Sequence, residues 1–345
     1  MQRYNHPVAK FIQSSTATPQ AYPCVSKGRL DMNRNVFVAP LLLASLSVGP
    51  AAAQTAPKAT LAERLGYPRD AKLLILHADD VGMSHSINSA TFQALDAGAI
   101  NSASIMIPCP WLPEVAAYAR SHPNADLGLH LTLNSEWTAY RWGPVTSKDR
   151  VPSLLDKDGY FYNSTQEASA RIDPREAEVE LRAQIERARA VGIQPTHLDS
   201  HMGLLFQTRD LFAMFLRVAR DYKLPVLLSN DLPLMGGDTA LFAGLLKPTD
   251  VLIDHIVTIM PDVPPERWGQ FYEQKIKQLQ PGVTEMIFHL GHDEDELQGA
   301  MAGFEGWGAA WRGRDTDYFM SDAFRRLLRE NNVQLITWRE IGKLR

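Results

Sequence analysis

The sequence predicts an α/β fold, a single-domain β/α barrel of seven or eight parallel strands, and three observations lead there. From Ala71 onward, short apolar runs alternate with helical patterns, the signature of repeated βα units. Seven or eight such units fit the remaining length of about 275 residues. Along Leu127-Gly-Leu-His-Leu-Thr-Leu133 every odd position is leucine, while the even ones are Gly128, His130 and Thr132. One face of that strand suits packing on helices and the small, polar one suits a barrel interior. The composition agrees: of 345 residues, 45% are hydrophobic and 21% charged, a globular balance that excludes disorder and fibrous repeats.

In chain order, residues 1–31 are polar and patternless, and read as an unstructured extension or an over-extended start. Met32 then opens a secretory pattern: basic Arg34, an apolar stretch from Val36 to Val48, and small Ala51 and Ala53 before Gln54. Residues 32–53 therefore read as a signal peptide, which addresses the chain to the periplasm or the exterior; a buried helix at 36–48 is the alternative. The apolar stretch falls short of the roughly 20 residues a spanning helix needs, so no membrane span is expected in the mature protein. Residues 54–71 read as a linker and 72–345 as the barrel.

Cleavage near Ala53 removes five basic residues and one acidic one, so the net charge of −4 becomes −8. With no dense run of Lys or Arg, nucleic-acid partners are excluded. Cys24 is lost with the leader and Cys109 stands alone, so no intramolecular disulfide is possible in an oxidising compartment. Oligomeric state is not readable from these patterns.

Candidate strands are 73–80, 102–108, 127–133, 196–202, 225–229, 250–256, 283–290 and 333–338. Between them lie amphipathic helices marked by Leu211, Phe215, Val218 and Tyr222, by Ala177, Leu181, Ile185 and Ala188, and by Phe324, Leu327 and Leu328. Period-two counting puts His197, Asp199 and His201 on one face, and Glu285, Ile287 and His289 on another. The connection 134–173 is long for a compact domain and rich in aromatic residues, which argues for function rather than disorder.

The candidate chemistry sits at strand ends: Asp79-Asp80, His130, His197 to His201, and His289. In β/α barrels the C-terminal strand ends converge on one site. A carboxylate and two imidazoles suffice to hold a divalent ion with a position open for water. Zn²⁺ and Mg²⁺ both remain open: two imidazoles favour Zn²⁺, while a carboxylate and water suit Mg²⁺. Each group alone has a plainer reading, a hydrogen-bonded strand histidine or an aspartate capping the next helix.

Five segments carry a family resemblance: His77-Ala-Asp-Asp-Val-Gly-Met83, Asn101-Ser-Ala-Ser-Ile-Met106, Leu127-Gly-Leu-His-Leu-Thr-Leu133, Thr196-His-Leu-Asp-Ser-His201 and Glu285-Met-Ile-Phe-His-Leu-Gly291. In order and context they resemble the motifs of the YdjC-like carbohydrate deacetylases (the ChbG/HpnK type), over about residues 72–340. The resemblance implies a metal-dependent hydrolase that removes acetyl from an N-acetylated sugar, on a barrel related to polysaccharide deacetylases. It implies Asp80, His130 and His201 as metal ligands, Asp79 as general base and His289 as general acid. Asp199, His77 and His197 are then expected to orient those groups from behind, with Asp199 the strongest candidate for fixing a ligand's tautomer.

Adjacent strand residues point to opposite faces, so Asp79 and Asp80 reach one site only if the strand breaks there; Gly82 makes such a turn plausible. This chain departs from the family pattern at His77, Val81, Met202 and Leu290, positions expected to line the sugar site. Trp137, Trp142 and Trp311 offer faces for a sugar ring, and Arg314, with Arg312 and Asp317 in a glycine-rich loop, offers hydrogen bonds to hydroxyls. Two other readings stand beside the N-deacetylase: hydrolysis of another acyl bond such as an O-acetyl ester, and a periplasmic carbohydrate-binding protein without catalysis.

Overall fold

A computed structural model describes residues 59–231, 242, 244–304 and 306–345. The expected extension, signal peptide and first part of the linker lie outside the described residues. Nine helices and seven strands position the site: α1 (Leu61–Arg64), β1 (Lys72–Val81), α2 (His85–Asp96), β2 (Ser102–Ile105), α3 (Leu112–Ser121), β3 (Leu127–Leu131), α4 (Thr165–Arg171), α5 (Pro174–Ala190), β4 (Leu198–Ser200), α6 (Arg209–Tyr222), β5 (His255–Thr258), α7 (Trp268–Lys277), β6 (Gly282–Phe288), α8 (Asp295–Ala300), α9 (Ala309–Met320) and β7 (Val333–Leu335) among the described residues. Two more short helices, α10 (Asp322–Glu330) and α11 (Trp338–Gly342), flank β7.

All pairings are parallel, in the order β4-β3-β2-β1-β6-β5, with β7 alongside the start of β1. The expected strand at 225–229 is no regular strand. It joins the two ends of the sheet through single bridges, Leu198 to Val226 and Ser229 to Ile253. Leu198 N–H donates to the Pro225 carbonyl and Ile253 N–H to that of Leu228, at 2.9 and 2.8 Å, so the strands curl into a β/α barrel. Pro225 has no N–H to give a ladder, which explains the interruption. The strand expected at 250–256 is displaced to β5, and those expected at 102–108, 127–133, 196–202, 283–290 and 333–338 end two or three residues early. Past the ends of β2, β3, β4 and β6 the chain leaves the sheet, whereas past β7 Ile336 and Trp338 turn into the apolar interior.

Side-chain parity follows the expected alternation. Leu74, Leu76, Ala78, the leucines at 127, 129, 131 and 133, Met286 and Phe288 belong to the core between sheet and helices. Leu73, Ile75, Val283 and Ile253 point the other way and join Ile336, Trp338 and Ile341 in a second apolar cluster that fills the barrel floor. Burying such a side chain contributes about 1.5–3 kcal/mol. Residues 59–71 are no linker: Leu61 and Ala62 of α1 are buried in this floor cluster, and a capping box between Thr60 and Glu63 fixes the helix. The helical periodicities hold, with Leu211 and Phe215 buried on α6, Leu181 and Ile185 on α5, and Phe324 on α10.

Above the apolar floor the interior turns polar. His197 lies there, its ring stacked on Trp338 at 5.1 Å. Gly128 makes room for it, since a Cβ at that position would stand 2.3 Å from His197 Nε2. Gly128→Ala is therefore expected to lower stability by about 1–3 kcal/mol, because neither the strand backbone nor the enclosed ring has space to yield. Urea denaturation of both proteins checks it, and an unchanged midpoint would show that the ring relocates freely.

Candidate metal centre

The site begins where β1 breaks. Its pairing with β2 shifts register between Ala78 and Val81, and Asp80 adopts φ +69°. A non-glycine residue in this left-handed region costs of order 1–3 kcal/mol, and such strain concentrates at functional sites. The bulge turns Asp80 to the side of Asp79, so two adjacent carboxylates reach one site. The expected turn at Gly82, φ +103°, completes the departure from the strand.

At the end of β4 the chain turns in the same manner. His201 opens a tight turn in which Met202 and Gly203 take φ of 50° and 65°. In the neighbouring strand His130 points inward. The result is a convergence of donor atoms: His130 Nε2 lies 3.5 Å and His201 Nδ1 3.4 Å from Asp80 Oδ1. All three residues are buried, and one donor from each falls within 4.8 Å of the others. Asp80 Oδ1 is buried without a hydrogen-bond partner among the described residues, while Oδ2 accepts from Arg312 Nη2 at 2.7 Å. An ionised oxygen left bare beside two imidazole nitrogens is the donor set a divalent cation requires, so these residues fit one.

Hydrogen bonds fix both histidines from behind. His130 Nδ1 meets Asp199 Oδ1 at 2.7 Å, and His201 Nε2 meets Glu136 Oε2 at 2.9 Å. Asp199 Oδ2 in turn lies 3.2 Å from His77 Nε2, which also stands 3.0 Å from Asp79 Oδ1. His77 thus ties Asp79 to the carboxylate that holds His130. Ser104 adds a hydrogen bond to Asp79 Oδ1 at 3.3 Å, leaving Oδ2 facing His130 Nε2 at 3.8 Å. His289 sits just past the end of β6, its Nε2 3.9 Å from Asp80 Oδ2 and its side chain 19% exposed, the most open of these groups.

The electrostatics follow from burial and these pairs. Burial alone would raise the Asp80 carboxyl, but Arg312, then His201 and His289, hold it well below the usual carboxylate range. Asp199 is lowered too, against burial, by His130 and His77. Burial opposes the His77 imidazolium, yet Glu285, Asp199 and Asp79 raise it well above the ordinary value. Burial likewise opposes His201, which Glu136 and Asp80 bring up to about 10. His289 goes the other way, to about 4: burial outweighs the attraction of Asp80, and Arg312 adds to the fall.

Several expected residues stand elsewhere. Trp137, Trp142 and Trp311 are only 1%, 3% and 4% exposed, so none has an open face for a sugar ring. Trp142 packs its edge toward His201 at 6.2 Å, Arg312 lies over Trp137 at 5.8 Å, and Trp311 donates to Asp315. Trp142 thus walls the centre beside His201, Trp137 backs Arg312, and Trp311 braces Asp315. Arg314 is spent on Trp268, 5.0 Å over its ring, and with Arg312 and Asp317 it belongs to helix α9 rather than to a loop. His197 sits one layer below, its ring against those of His77 and Trp338.

The sequence reading missed Glu136, Asp315 and the full role of Arg312. Asp315 accepts hydrogen bonds from Trp268, Tyr272 and Trp311 and from the His289 backbone N–H at 3.2 Å, which fixes where β6 delivers His289. Arg312 and Asp315 come from a helix 232 and 235 positions after Asp80, and no spacing rule links them.

Residues 73–330 match the family model described as YdjC-like protein. The chain belongs to the YdjC-like family. A carbohydrate deacetylase of Thermus thermophilus is 33% identical over 285 residues, covering 81% of this chain and 97% of the relative. One of Thermoanaerobacter pseudethanolicus is 28% identical over 235 residues, covering 66% and 84%. A solved structure from Enterococcus faecalis, a candidate cellobiose-phosphate cleavage protein, superposes with a TM-score of 0.65 at 23% identity, covering 79% of this chain and 99% of that one, and shares its fold. No helix of this YdjC-like chain is long and apolar enough to cross a membrane among the described residues.

Beneath the centre, Glu285 is wholly enclosed and 3.4 Å from His77 Nδ1, and burial pushes its carboxyl up to about 8, against the pull of His77. Its unfolded value is near 4.5. A raised carboxyl favours folding while protonated, so its contribution is full below pH 4.5 and fades as pH rises toward about 8. Glu285→Gln cannot ionise in either state, so its stability relative to the parent should grow by a few kcal/mol between pH 5 and pH 8. Urea midpoints at the two pH values decide; a pH-independent difference would refute it.

Proposed function

We propose that this chain is a metal-dependent hydrolase that removes acetyl groups from an N-acetylated carbohydrate. The convergence of Asp80 Oδ1, His130 Nε2 and His201 Nδ1 beside Asp79 carries the reading, with carbohydrate deacetylases among the relatives as its support. Asp80, His130 and His201 would hold the cation, Zn²⁺ or Mg²⁺. When bound, such an ion polarises the acyl oxygen and makes a neighbouring water more acidic.

The protein supplies the proton transfers. Asp79 keeps Oδ1 on His77 and Ser104 and turns Oδ2 toward His130, which suits it to take a proton from the attacking water. An amine leaves an acyl carbon only when protonated. His289, at the open side of Asp80, is neutral near pH 7, so the proton that Asp79 takes from the attacking water passes through His289 to the leaving nitrogen as the C–N bond breaks, and Asp79 is ionised again. Asp315 fixes the backbone of His289, and the buried Trp137, Trp142 and Trp311 keep bulk water from the ligands.

Replacing Asp80 or His130 by Ala should abolish metal uptake and acetate release together. Asp79→Asn should retain the metal and lose turnover by a factor of about 10² or more, the usual contribution of a positioned base. Elemental analysis and an acetate assay on N-acetylated and O-acetylated sugars read both effects. Full activity in all three variants sinks the proposal, and release from O-acetyl sugars alone transfers the site to ester hydrolysis.

The secretory pattern at 32–53 supports a place in the periplasm or outside the cell. Expression of the full chain in a bacterium should then yield a protein beginning near Gln54. An uncleaved N-terminus in the cytoplasmic fraction would overturn this placement.

A further inference from the structure

The two ligand histidines use opposite nitrogens. His130 turns Nε2 to the centre and gives Nδ1 to Asp199, whereas His201 turns Nδ1 to the centre and leaves Nε2 to Glu136 at 2.9 Å. Glu136 belongs to none of the family motifs quoted above. It lies beyond β3, in the long connection, with its side chain only 8% exposed. Asn134 Nδ2 donates to the same Oε2 at 3.3 Å, so the carboxylate is itself held in place. Trp142, from the same segment, packs against the His201 ring.

We propose that Glu136 is a positioning residue for His201, equivalent for this histidine to what Asp199 is for His130. The inference rests on the metal-centre reading above. A carboxylate that accepts the remote N–H of a ligand imidazole keeps the proton off the ligating nitrogen, sets the ring plane and strengthens the ligand, commonly by 10–100-fold in metal affinity. Through Glu136 the connection after β3 is thereby fastened to the metal centre, so the segment that walls the site also completes its coordination geometry.

Zn²⁺ titration of the metal-free full chain by calorimetry, together with ¹⁵N spectra of the histidine rings, tests this. Glu136→Gln preserves shape and one hydrogen-bond acceptor but not the charge, and should bind Zn²⁺ about 10-fold more weakly; Glu136→Ala should approach 100-fold. In the parent, His201 should show a protonated Nε2 and a ligating Nδ1, and Glu136→Ala should lose that single pattern. Should the alanine variant fail to fold, as thermal melting would reveal, the glutamine variant decides alone. Parental affinity and an unchanged His201 ring pattern in a folded variant overturn the inference. If the parent itself binds no Zn²⁺, and His201→Ala changes nothing, the metal-centre reading has failed and the inference falls with it.

Discussion

The rest of the site depends on how one buried carboxylate, Asp80, is kept ionised. Charged groups are expensive to enclose unless paired, and here Asp79, Asp80 and Asp199 are all buried within one barrel mouth. Arg312 takes one oxygen of Asp80, and His77, held cationic, sits between Asp79 and Asp199. That leaves the second oxygen of Asp80 bare, facing two imidazole nitrogens. The protein thus compensates the acids without saturating them, and the residual negative field is directed at one point.

Backbone geometry makes this possible. A regular strand cannot aim two neighbouring side chains into one interior, so β1 carries a bulge, and its cost is borne by a segment locked between β2 and β6 on both sides. The barrel interior is layered accordingly. Leu73, Ile75 and Trp338 exclude water from the floor, His197 and Glu285 form an enclosed polar layer, and the acids and ligand histidines occupy the top. The polar layer separates apolar packing from charge, and burial keeps the Glu285 carboxyl raised there against the pull of His77.

Much of this was legible in the sequence where period-two alternation applied. The outward leucines of β3 with its inward His130, the shared faces of His197 with Asp199 and of Glu285 with Ile287, and the parallel βα order all follow from strand parity, and the structure keeps them. What failed was whatever depends on the ends of strands and on helices arriving from far along the chain. The expected strands at 102–108, 127–133, 196–202 and 283–290 run too long because residues past each strand end remain apolar enough to look like strand; at 333–338 the extra residues, Ile336 and Trp338, turn into the barrel floor, and at 250–256 the pairing starts later, at His255. Trp137, Trp142 and Trp311 were read as open platforms because an aromatic residue in a loop looks exposed in sequence; the tertiary packing of Arg312, His201 and Asp315 against them could not be foreseen.

The contrast between His130 and His201, the two candidate ligand histidines, shows the same division at atomic scale. His130 lies inside a strand, and its register partner across the β3–β4 ladder is Asp199. The carboxylate that holds it is therefore fixed by sheet geometry; the sequence points to Asp199 only through its place between His197 and His201, and the ladder pairs it with His130 instead. His201 stands just past the end of β4, where Met202 and Gly203 reverse the chain. A residue beyond the ladder has no register partner, so its support must come from a connection, and Glu136 supplies it from the far side of β3. The reversal also presents the other ring nitrogen, because the imidazole reaches the centre from a turn rather than from a pleat. Strand geometry and loop geometry thus converge on one donor set by different means, and only the first leaves a periodic trace in the sequence.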